Sequence, residues 1–181
     1  MTPLQHANAS LALKPAETNT RTDLSAVIRA CQQTGLTGAP LDSRADHYFA
    51  GERFLDLITF LGCSPHVALQ PEAGKGTFTH IVIHQHGHPV LFYGPHTRPP
   101  RCPHCGKANS GWREHTASQT IPCPHCRQTA GAECYNWRKT AGVARTLIEI
   151  TDIYPGEALP QPALLTSLQQ HTGVEWDYFY F

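Results

Sequence analysis

The sequence shows no long apolar run, and its opening segment lacks the pattern of a signal peptide. No stretch approaches the roughly 20 apolar residues that a helix needs to cross a bilayer. The opening segment, MTPLQHANASLALKPAETNT, contains neither the basic n-region nor the apolar core of a signal peptide. The sequence therefore predicts a soluble, cytoplasmic protein that does not contact membranes.

Recognisable catalytic motifs are also missing. The segment EAGKG lacks the spacing of the phosphate-binding loops GxxxxGKS and GxxxxGKT, and the metallopeptidase motif HExxH does not occur. No serine–histidine–aspartate order is visible, and the scattered acidic residues offer no evident acid–base pair. These absences favour a non-catalytic protein, although they leave open an enzyme site that uses none of these motifs.

Charged residues are scarce and unevenly placed. They make up 15% of the chain, against about 25% in a typical soluble domain. The formal net charge is zero, but residues 98–145 hold eight basic residues against two acidic ones, a balance of +6. The basic residues are Arg98, Arg101, Lys107, Arg113, Arg127, Arg138, Lys139 and Arg145. This segment predicts an acidic partner, nucleic acid included, unless it faces the acidic remainder of the same protein.

Four of the seven cysteines form a repeated motif. The sequence reads RCPHCGK, and after seventeen residues between Cys105 and Cys123 it reads PCPHCRQ. Paired cysteines in a reducing compartment indicate metal rather than disulfides, and this separation matches the C-x2-C-x15–20-C-x2-C pattern of zinc sites. We predict that one Zn²⁺ is held by Cys102, Cys105, Cys123 and Cys126. Because four thiolates leave no open coordination position, the predicted role of the metal is structural.

The two motifs resemble the zinc-ribbon family over about 40 residues, 99–138. The resemblance implies two knuckles, at the ends of small hairpins, that clamp one zinc ion. Gly106 matches the glycine that often follows the second cysteine of such a knuckle, whereas Arg127 departs from it and argues against a rubredoxin-like iron site. Because cysteines fill the tetrahedron, His104 and His125 are expected to face solvent.

Periodicity and turn residues predict the elements of the remaining chain. Residues 1–21 are polar and aperiodic, which predicts a loose tail. Helices are predicted from Thr22 or Asp23 to Gly35, within GERFLDLITFLG (51–62), and from Pro162 to Gly173. Strands are predicted at HVALQ (66–70), FTHIVIHQ (78–85), VLFY (90–93), ARTLIEITDIY (144–154) and VEWDYFYF (174–181). The segment HGHP is predicted to turn the second of these strands into the third as a hairpin.

This order of elements predicts an α+β fold, a two-layer sandwich of helices on a mainly antiparallel sheet. Residues 22–98 and 139–181 would form the α+β domain, and residues 99–138 would be an inserted zinc-ribbon module. If the last two strands are neighbours, the helix between them makes a right-handed crossover.

Histidines recur at alternate positions around the predicted hairpin, at His80, His84, His86 and His88. On a strand running straight through, these rings would share one face and could bind copper, nickel or a second zinc ion. A turn at HGHP would disperse them, and no acidic residue is expected nearby to orient the rings. We therefore predict a solvent-exposed face without metal.

The aromatic residues and the other cysteines of the chain are predicted to be structural. Trp112, Tyr135 and Trp137 lie among the basic residues and could stack on nucleic-acid bases, but packing against the metal hairpins is the preferred interpretation. Cys31 and Cys63 are expected in the core, and Cys134 is not expected to bind the metal.

The sequence predicts a non-catalytic zinc-binding protein whose basic zinc-ribbon insert docks a macromolecular partner. The preferred partner is another protein. One alternative is a nucleic-acid-binding zinc-ribbon protein, although the neutral charge of the whole chain argues against a dedicated binder, which is usually strongly basic. A second alternative is a metal-delivery protein that uses the histidine-rich hairpin.

Overall fold

The computed structural model describes residues 4–5, 9–41, 46–62, 67–71, 77–118 and 120–181. These residues form helices α1 (Leu24–Thr34), α2 (Phe54–Leu57) and α3 (Pro162–Thr172), and short 3₁₀ helices at Trp112–His115 and Ala132–Cys134. The strands of the described residues are β1 (Leu4–Gln5), β2 (Ser10–Pro15), β3 (Thr37–Pro40), β4 (His47–Ala50), β5 (Ile58–Phe60), β6 (Ile81–Tyr93), β7 (Thr120–Pro122), β8 (Thr129–Gly131), β9 (Ala141–Thr151), β10 (Ala158–Pro160) and β11 (Trp176–Tyr180). None of the described helices is long and apolar enough to span a bilayer.

Seven strands form one sheet, in the order β11-β2-β9-β6-β4-β3, and β1 pairs with β6. Each pairing in this sheet is antiparallel except that of β1 with β6. Two further ladders pair β5 with β10 and β7 with β8. The predicted α+β fold, with helices on a mainly antiparallel sheet, is confirmed.

Helices α1 and α3 pack against one face of this sheet. Leu11 and Leu13 of β2 lie opposite Ile150 and Ile148 of β9, and these four side chains are buried in one cluster with residues of both helices. Burying each such side chain contributes about 1.5–3 kcal/mol. The cluster therefore holds the two layers together.

Helix α1 has the ends that its sequence predicts. The Asp23 side chain accepts a hydrogen bond from the Ser25 N–H at 3.1 Å, and Gly35 ends the helix in the left-handed conformation, φ 76°. Val27 and Cys31 face the core, and burial raises the pKa of the Cys31 thiol to about 12. Cys31 is thus a protonated core residue at neutral pH, as predicted.

The predicted N-terminal tail is wrong for residues 10–15. They form β2, which lies inside the sheet between β11 and β9. Leu11 and Leu13 face the helices while Ala12 packs on the opposite face with Phe92 and Phe179. Two alternating leucines between polar and proline-containing flanks are too short a pattern to predict a strand. Pairing with a strand on each side stabilises the extended conformation of this segment.

The predicted hairpin at HGHP is also wrong. β6 is one strand of 13 residues, and both of its halves pair with β9. Gln85 lies opposite Thr146 and Val90 opposite Ala144, so the residues 86–89 bulge against a single residue of β9. Proline is tolerated in a bulge because no ladder hydrogen bond is needed there. The Arg145 guanidinium donates a hydrogen bond to the Gly87 carbonyl and supports the bulge.

Three smaller expectations also need correction. The predicted helix over 51–62 is the single turn α2, followed by β5, because Ile58, Thr59 and Phe60 suit a strand and pair with β10. The described part of HVALQ, residues 67–70, is not a strand. Strands β9 and β11 are not neighbours, because β2 lies between them, so the connection through α3 passes over β2.

Candidate metal centre

The two CPHC motifs fold into the same turn. In the first, Cys102 N–H donates to Lys107 C=O and Gly106 N–H donates to Cys102 C=O, both at 2.9 Å. In the second, Cys123 N–H donates to Gln128 C=O at 2.8 Å and Arg127 N–H donates to Cys123 C=O at 2.9 Å. We call these two turns the knuckles, and the segment 99–138 that contains them the cysteine module.

The residue after the second cysteine of each knuckle adopts the left-handed conformation. Gly106 has φ 71° and Arg127 has φ 63°. Glycine reaches this region without strain, whereas a side chain costs about 1–2 kcal/mol. The departure of Arg127 from the zinc-ribbon pattern therefore leaves the turn unchanged and adds a small local cost.

The knuckles bring four sulfur atoms together. The Sγ atoms of Cys102 and Cys126 are 3.8 Å apart, and those of Cys105 and Cys123 are 3.7 Å apart. All four sulfurs lie within 4.8 Å of one another and could hold one metal ion. A disulfide requires about 2.05 Å, whereas the edge of a tetrahedron with zinc–sulfur bonds of 2.3 Å is about 3.8 Å. The donor set and its spacing thus fit a four-thiolate metal site.

The thiols of the second knuckle differ in acidity. The backbone N–H of Cys126, followed by that of His125, lowers the pKa of the Cys123 thiol to about 6. For Cys126 the Gln128 N–H favours the thiolate, but burial and the adjacent sulfurs outweigh it and raise the pKa to about 11. The raised pKa keeps the Cys126 thiol protonated at neutral pH, so a metal ion that takes this sulfur as a thiolate ligand would displace its proton.

Other nearby donors stay outside this group. His104 is exposed, and His125 places Nε2 3.2 Å from the Ala108 carbonyl oxygen. Cys134 is exposed, with its sulfur 4.0 Å from a carboxylate oxygen of Glu133. Among the described residues, only the four predicted cysteines form a group of three or more metal donors. Cys63 lies outside the described residues.

Aromatic side chains anchor the cysteine module to the sheet. Trp112 is 1% exposed and makes edge contacts with Tyr93 of β6 and with Trp137, at ring-centroid distances of 5.2 and 5.0 Å. Trp137 Nε1 donates to Ala132 C=O at 2.7 Å, and the buried Tyr135 hydroxyl donates to Ile121 C=O at 2.9 Å. These aromatic residues pack against the metal hairpins as predicted, and their burial excludes them as base-stacking residues.

Four basic residues in or next to the module fall into two groups. Arg113 lies 4.5 Å from the Trp112 ring and donates to Gly94 C=O at 3.2 Å, and Lys139 pairs with Asp177 at 3.1 Å, so both serve the fold. Lys107 and Arg127 are exposed and, within the described part of the chain, form no ion pair. Each follows the second cysteine of its knuckle closely, so both lie at the metal end of the module.

The histidines do not form a common metal site. His84 donates from Nε2 to a Glu149 carboxylate oxygen at 2.7 Å, and the other oxygen accepts from Ser10 Oγ at 2.7 Å. The expectation that no acidic residue faces the histidines is therefore wrong, and His84, with 18% side-chain exposure, is not on a solvent face. Glu149 is buried, with 3% exposure. No pattern in the sequence predicts this contact, because it depends on the pairing of β6 with β9.

The remaining histidines have separate surroundings. His80 Nδ1 lies 3.0 Å from Thr151 Oγ1. The His86 ring stacks 6.1 Å from that of His84 and 5.6 Å from that of Phe92. His88 is exposed. His84 and His86 share a strand face, but neither belongs to a group of three or more metal donors among the described residues, so these residues do not support a second metal site.

Acid is expected to destabilise the fold through His86. Burial, followed by the neighbouring His84 and His88, lowers the pKa of His86. The unfolded chain therefore takes up this proton at a higher pH than the folded chain, so stability falls as the pH drops below about 6.5. Urea unfolding at pH values of about 7.5 and 5.5 measures the loss, which should be smaller in His86→Gln than in the wild type.

His88→Gln is the graded control for this experiment, because His88 is exposed and is the last of the three causes that lower the pKa of His86. It should lose slightly less stability than the wild type over the same pH interval, and more than His86→Gln. Equal losses in the wild type and in His86→Gln would contradict the assignment.

Comparison with known proteins assigns no relative. No family model matches the chain, and neither a curated protein nor a solved structure matches it. The resemblance to zinc ribbons therefore rests on the two CPHC motifs and their separation in the sequence.

Proposed function

We propose that this chain is a non-catalytic zinc protein in which one structural Zn²⁺ stabilises the cysteine module and the module docks an acidic protein surface. The spacing of the four sulfurs carries the proposal, because 3.7 and 3.8 Å match the edge of a zinc–thiolate tetrahedron. Soft thiolates suit zinc, whereas magnesium and calcium prefer oxygen donors. With the coordination sphere closed by protein, the ion would cross-link the two knuckles without activating a water molecule.

The exposed charges of the module support docking. Lys107 and Arg127 project from the two knuckles, and the surrounding segment has a balance of +6. A surface with charges of one sign accelerates encounter with an oppositely charged partner and fixes its orientation. A protein is favoured over nucleic acid because Trp112, Tyr135 and Trp137 are buried and cannot stack on bases.

These two cations have a competing role. Four thiolates and one divalent ion leave a net charge of about −2, which nearby cations would partly neutralise. If Lys107 and Arg127 only neutralise this charge, reversing their charges would weaken metal retention and leave partner binding unchanged. The test must therefore measure both properties on the same variants.

The test compares two double variants of equal charge change. Lys107→Glu with Arg127→Glu alters the metal end of the module, whereas Arg21→Glu with Arg29→Glu alters exposed cations outside it. Each variant is used as bait in native lysate, with and without nuclease and across a salt series, and the amount of captured partner is measured. The zinc content of each variant is measured as well. We expect the module variant to keep its zinc and lose at least about tenfold in capture, a change of about 1.4 kcal/mol.

Equal capture by both variants would contradict docking through the module. Capture that nuclease abolishes, and that falls steeply with salt, would select the nucleic-acid alternative, because each phosphate contact releases counterions. Loss of zinc from the module variant alone would assign Lys107 and Arg127 to the metal centre.

A further inference from the structure

The outer edge of β11 carries backbone groups that no neighbouring strand pairs with in the described part of the chain. β11 is the terminal strand of the sheet. Phe181 and Ser10 exchange both backbone hydrogen bonds, at 2.8 and 3.1 Å, and Ala16 N–H donates to Glu175 C=O at 2.8 Å. Because strand hydrogen bonds alternate, the odd-numbered residues of this segment face β2, and Trp176, Tyr178 and Tyr180 direct their backbone groups outward.

Only the end of this outer edge is occupied. Tyr180 N–H donates to Lys139 C=O at 2.8 Å. Arg138 and Lys139 adopt the left-handed conformation, with φ values of 51° and 58°. Within the described part of the chain, the outward N–H and C=O groups of Trp176 and Tyr178 have no hydrogen bond. Tyr178 is half-buried and is the more accessible of the two positions, since Trp176 is only 4% exposed as a whole residue. Such a row of unpaired groups is a template for another strand.

A groove lies beside this edge, between β11 and the end of the cysteine module. Its volume is about 360 Å³. Three cations line it, Lys14, Arg138 and Lys139, against the carboxylates of Glu133 and Asp177.

Lys14 is the most buried of these three cations. Its Nζ donates to the carbonyls of Pro15 and Ala16, at 2.8 and 3.0 Å. Burial lowers the pKa of Lys14, and Asp177 opposes that effect only in part. An added carboxylate in the groove would therefore stabilise the ammonium form.

We propose that the outer edge of β11 accepts an extended segment of a partner protein as an added strand, which pairs with Trp176 and Tyr178 and places an acidic side chain near Lys14. Main-chain hydrogen bonds supply affinity in this mode of recognition, and the lining side chains supply specificity. The surface differs from the metal end of the module, so the two proposals can fail separately. A competing reading is that Lys139, whose Nζ lies 3.5 Å from the Tyr178 ring, only guards the edge against aggregation.

The first test is hydrogen exchange on the full chain. The free protein should exchange Trp176 and Tyr178 amides quickly, while those of Asp177 and Phe179 are protected by β2. The probe is then a peptide selected on the zinc-loaded protein from a displayed library of random peptides. Its binding should protect Trp176 and Tyr178 and should weaken at least about tenfold when the peptide's pairing amides are N-methylated.

Matched variants test the site itself. Tyr178→Pro removes the outward N–H without breaking the ladder to β2, and Tyr178→Val removes the ring but keeps the N–H. Peptide binding should be lost in the first variant and retained in the second, and Lys14→Gln should weaken acidic peptides in particular. Lys107→Glu with Arg127→Glu should bind the peptide normally.

Several results would overturn the proposal. The first is that the library yields no peptide that binds, and the second is that N-methylation of the peptide leaves its binding intact. The third is that the Trp176 and Tyr178 amides are already protected from hydrogen exchange in the free chain. Protection that appears only with increasing protein concentration, together with a dimer in sedimentation, would assign the edge to a second copy of this chain. If Tyr178→Pro does not fold, the N-methylated peptide alone decides the question.

Discussion

Replacing Cys102 or Cys123 with serine is expected to abolish metal binding and to unfold both knuckles. Structural zinc contributes an apparent binding free energy of about 10–16 kcal/mol at neutral pH. That equals or exceeds the whole stability of a typical domain, about 5–15 kcal/mol. Without the metal, no attractive interaction holds the four closely spaced thiols together. The two knuckles that carry them have few hydrogen bonds of their own. The variants should therefore lose hydrogen-exchange protection at the amides of Cys102, Gly106, Cys123 and Arg127.

The loss should be confined to the module and the strand ends it covers. Leu91 and Tyr93 of β6, with Ala141 and Val143 of β9, share a cluster with the module, so their protection should fall in part. Leu11 and the other residues under α1 belong to a separate cluster and should stay protected.

Cys134→Ser is the matched control, because Cys134 belongs to the module but is exposed and lies outside the sulfur group. It should bind metal and exchange like the wild type. Unchanged protection of the knuckles in Cys102→Ser, or collapse of the whole chain, would contradict a metal that stabilises the module locally.

Replacing Trp112 with alanine is expected to destabilise the protein by about 3–5 kcal/mol, the range for a large buried aromatic side chain. Trp112 is 1% exposed and touches both Tyr93 of the sheet and Trp137 of the module. Its loss removes two edge contacts worth about 0.5–1.5 kcal/mol each, in addition to the cavity it leaves. The Arg113 guanidinium, 4.5 Å from the ring, also loses its support.

Urea unfolding of the zinc-loaded protein measures this effect, and the variant should still bind metal because Trp112 lies outside both knuckles. Trp112→Phe is the graded control, since it keeps an aromatic ring in the same space and should lose less stability. A loss below about 1 kcal/mol in the alanine variant would contradict the role of Trp112 in joining the module to the sheet.

The metal donors and several elements could be predicted because their causes are local. Two CxxC turns supply four thiolates whatever surrounds them, so the motif identified the residues that the fold brings together. Helix α1 carries its own cap at Asp23 and its own stop at Gly35. β9 shows its alternation in Ile148 and Ile150 without reference to a partner.

The errors arose where a distant strand decides the outcome. Gly87 and Pro89 normally indicate a turn, but β9 pairs with both flanks of this segment and converts the turn into a bulge. Residues 10–15 become a strand because β9 and β11 stand on either side. The contact between His84 and Glu149 spans 65 residues of sequence and depends on that same pairing. Such contacts follow from topology, which local patterns do not specify.

Metal analysis combined with X-ray absorption shows whether four thiolates hold one structural zinc ion. Protein purified without added metal should contain one zinc per chain, with sulfur as the sole nearest scatterer at about 2.3 Å. Iron in place of zinc, absence of metal, or nitrogen and oxygen among the nearest scatterers would contradict a four-thiolate zinc site.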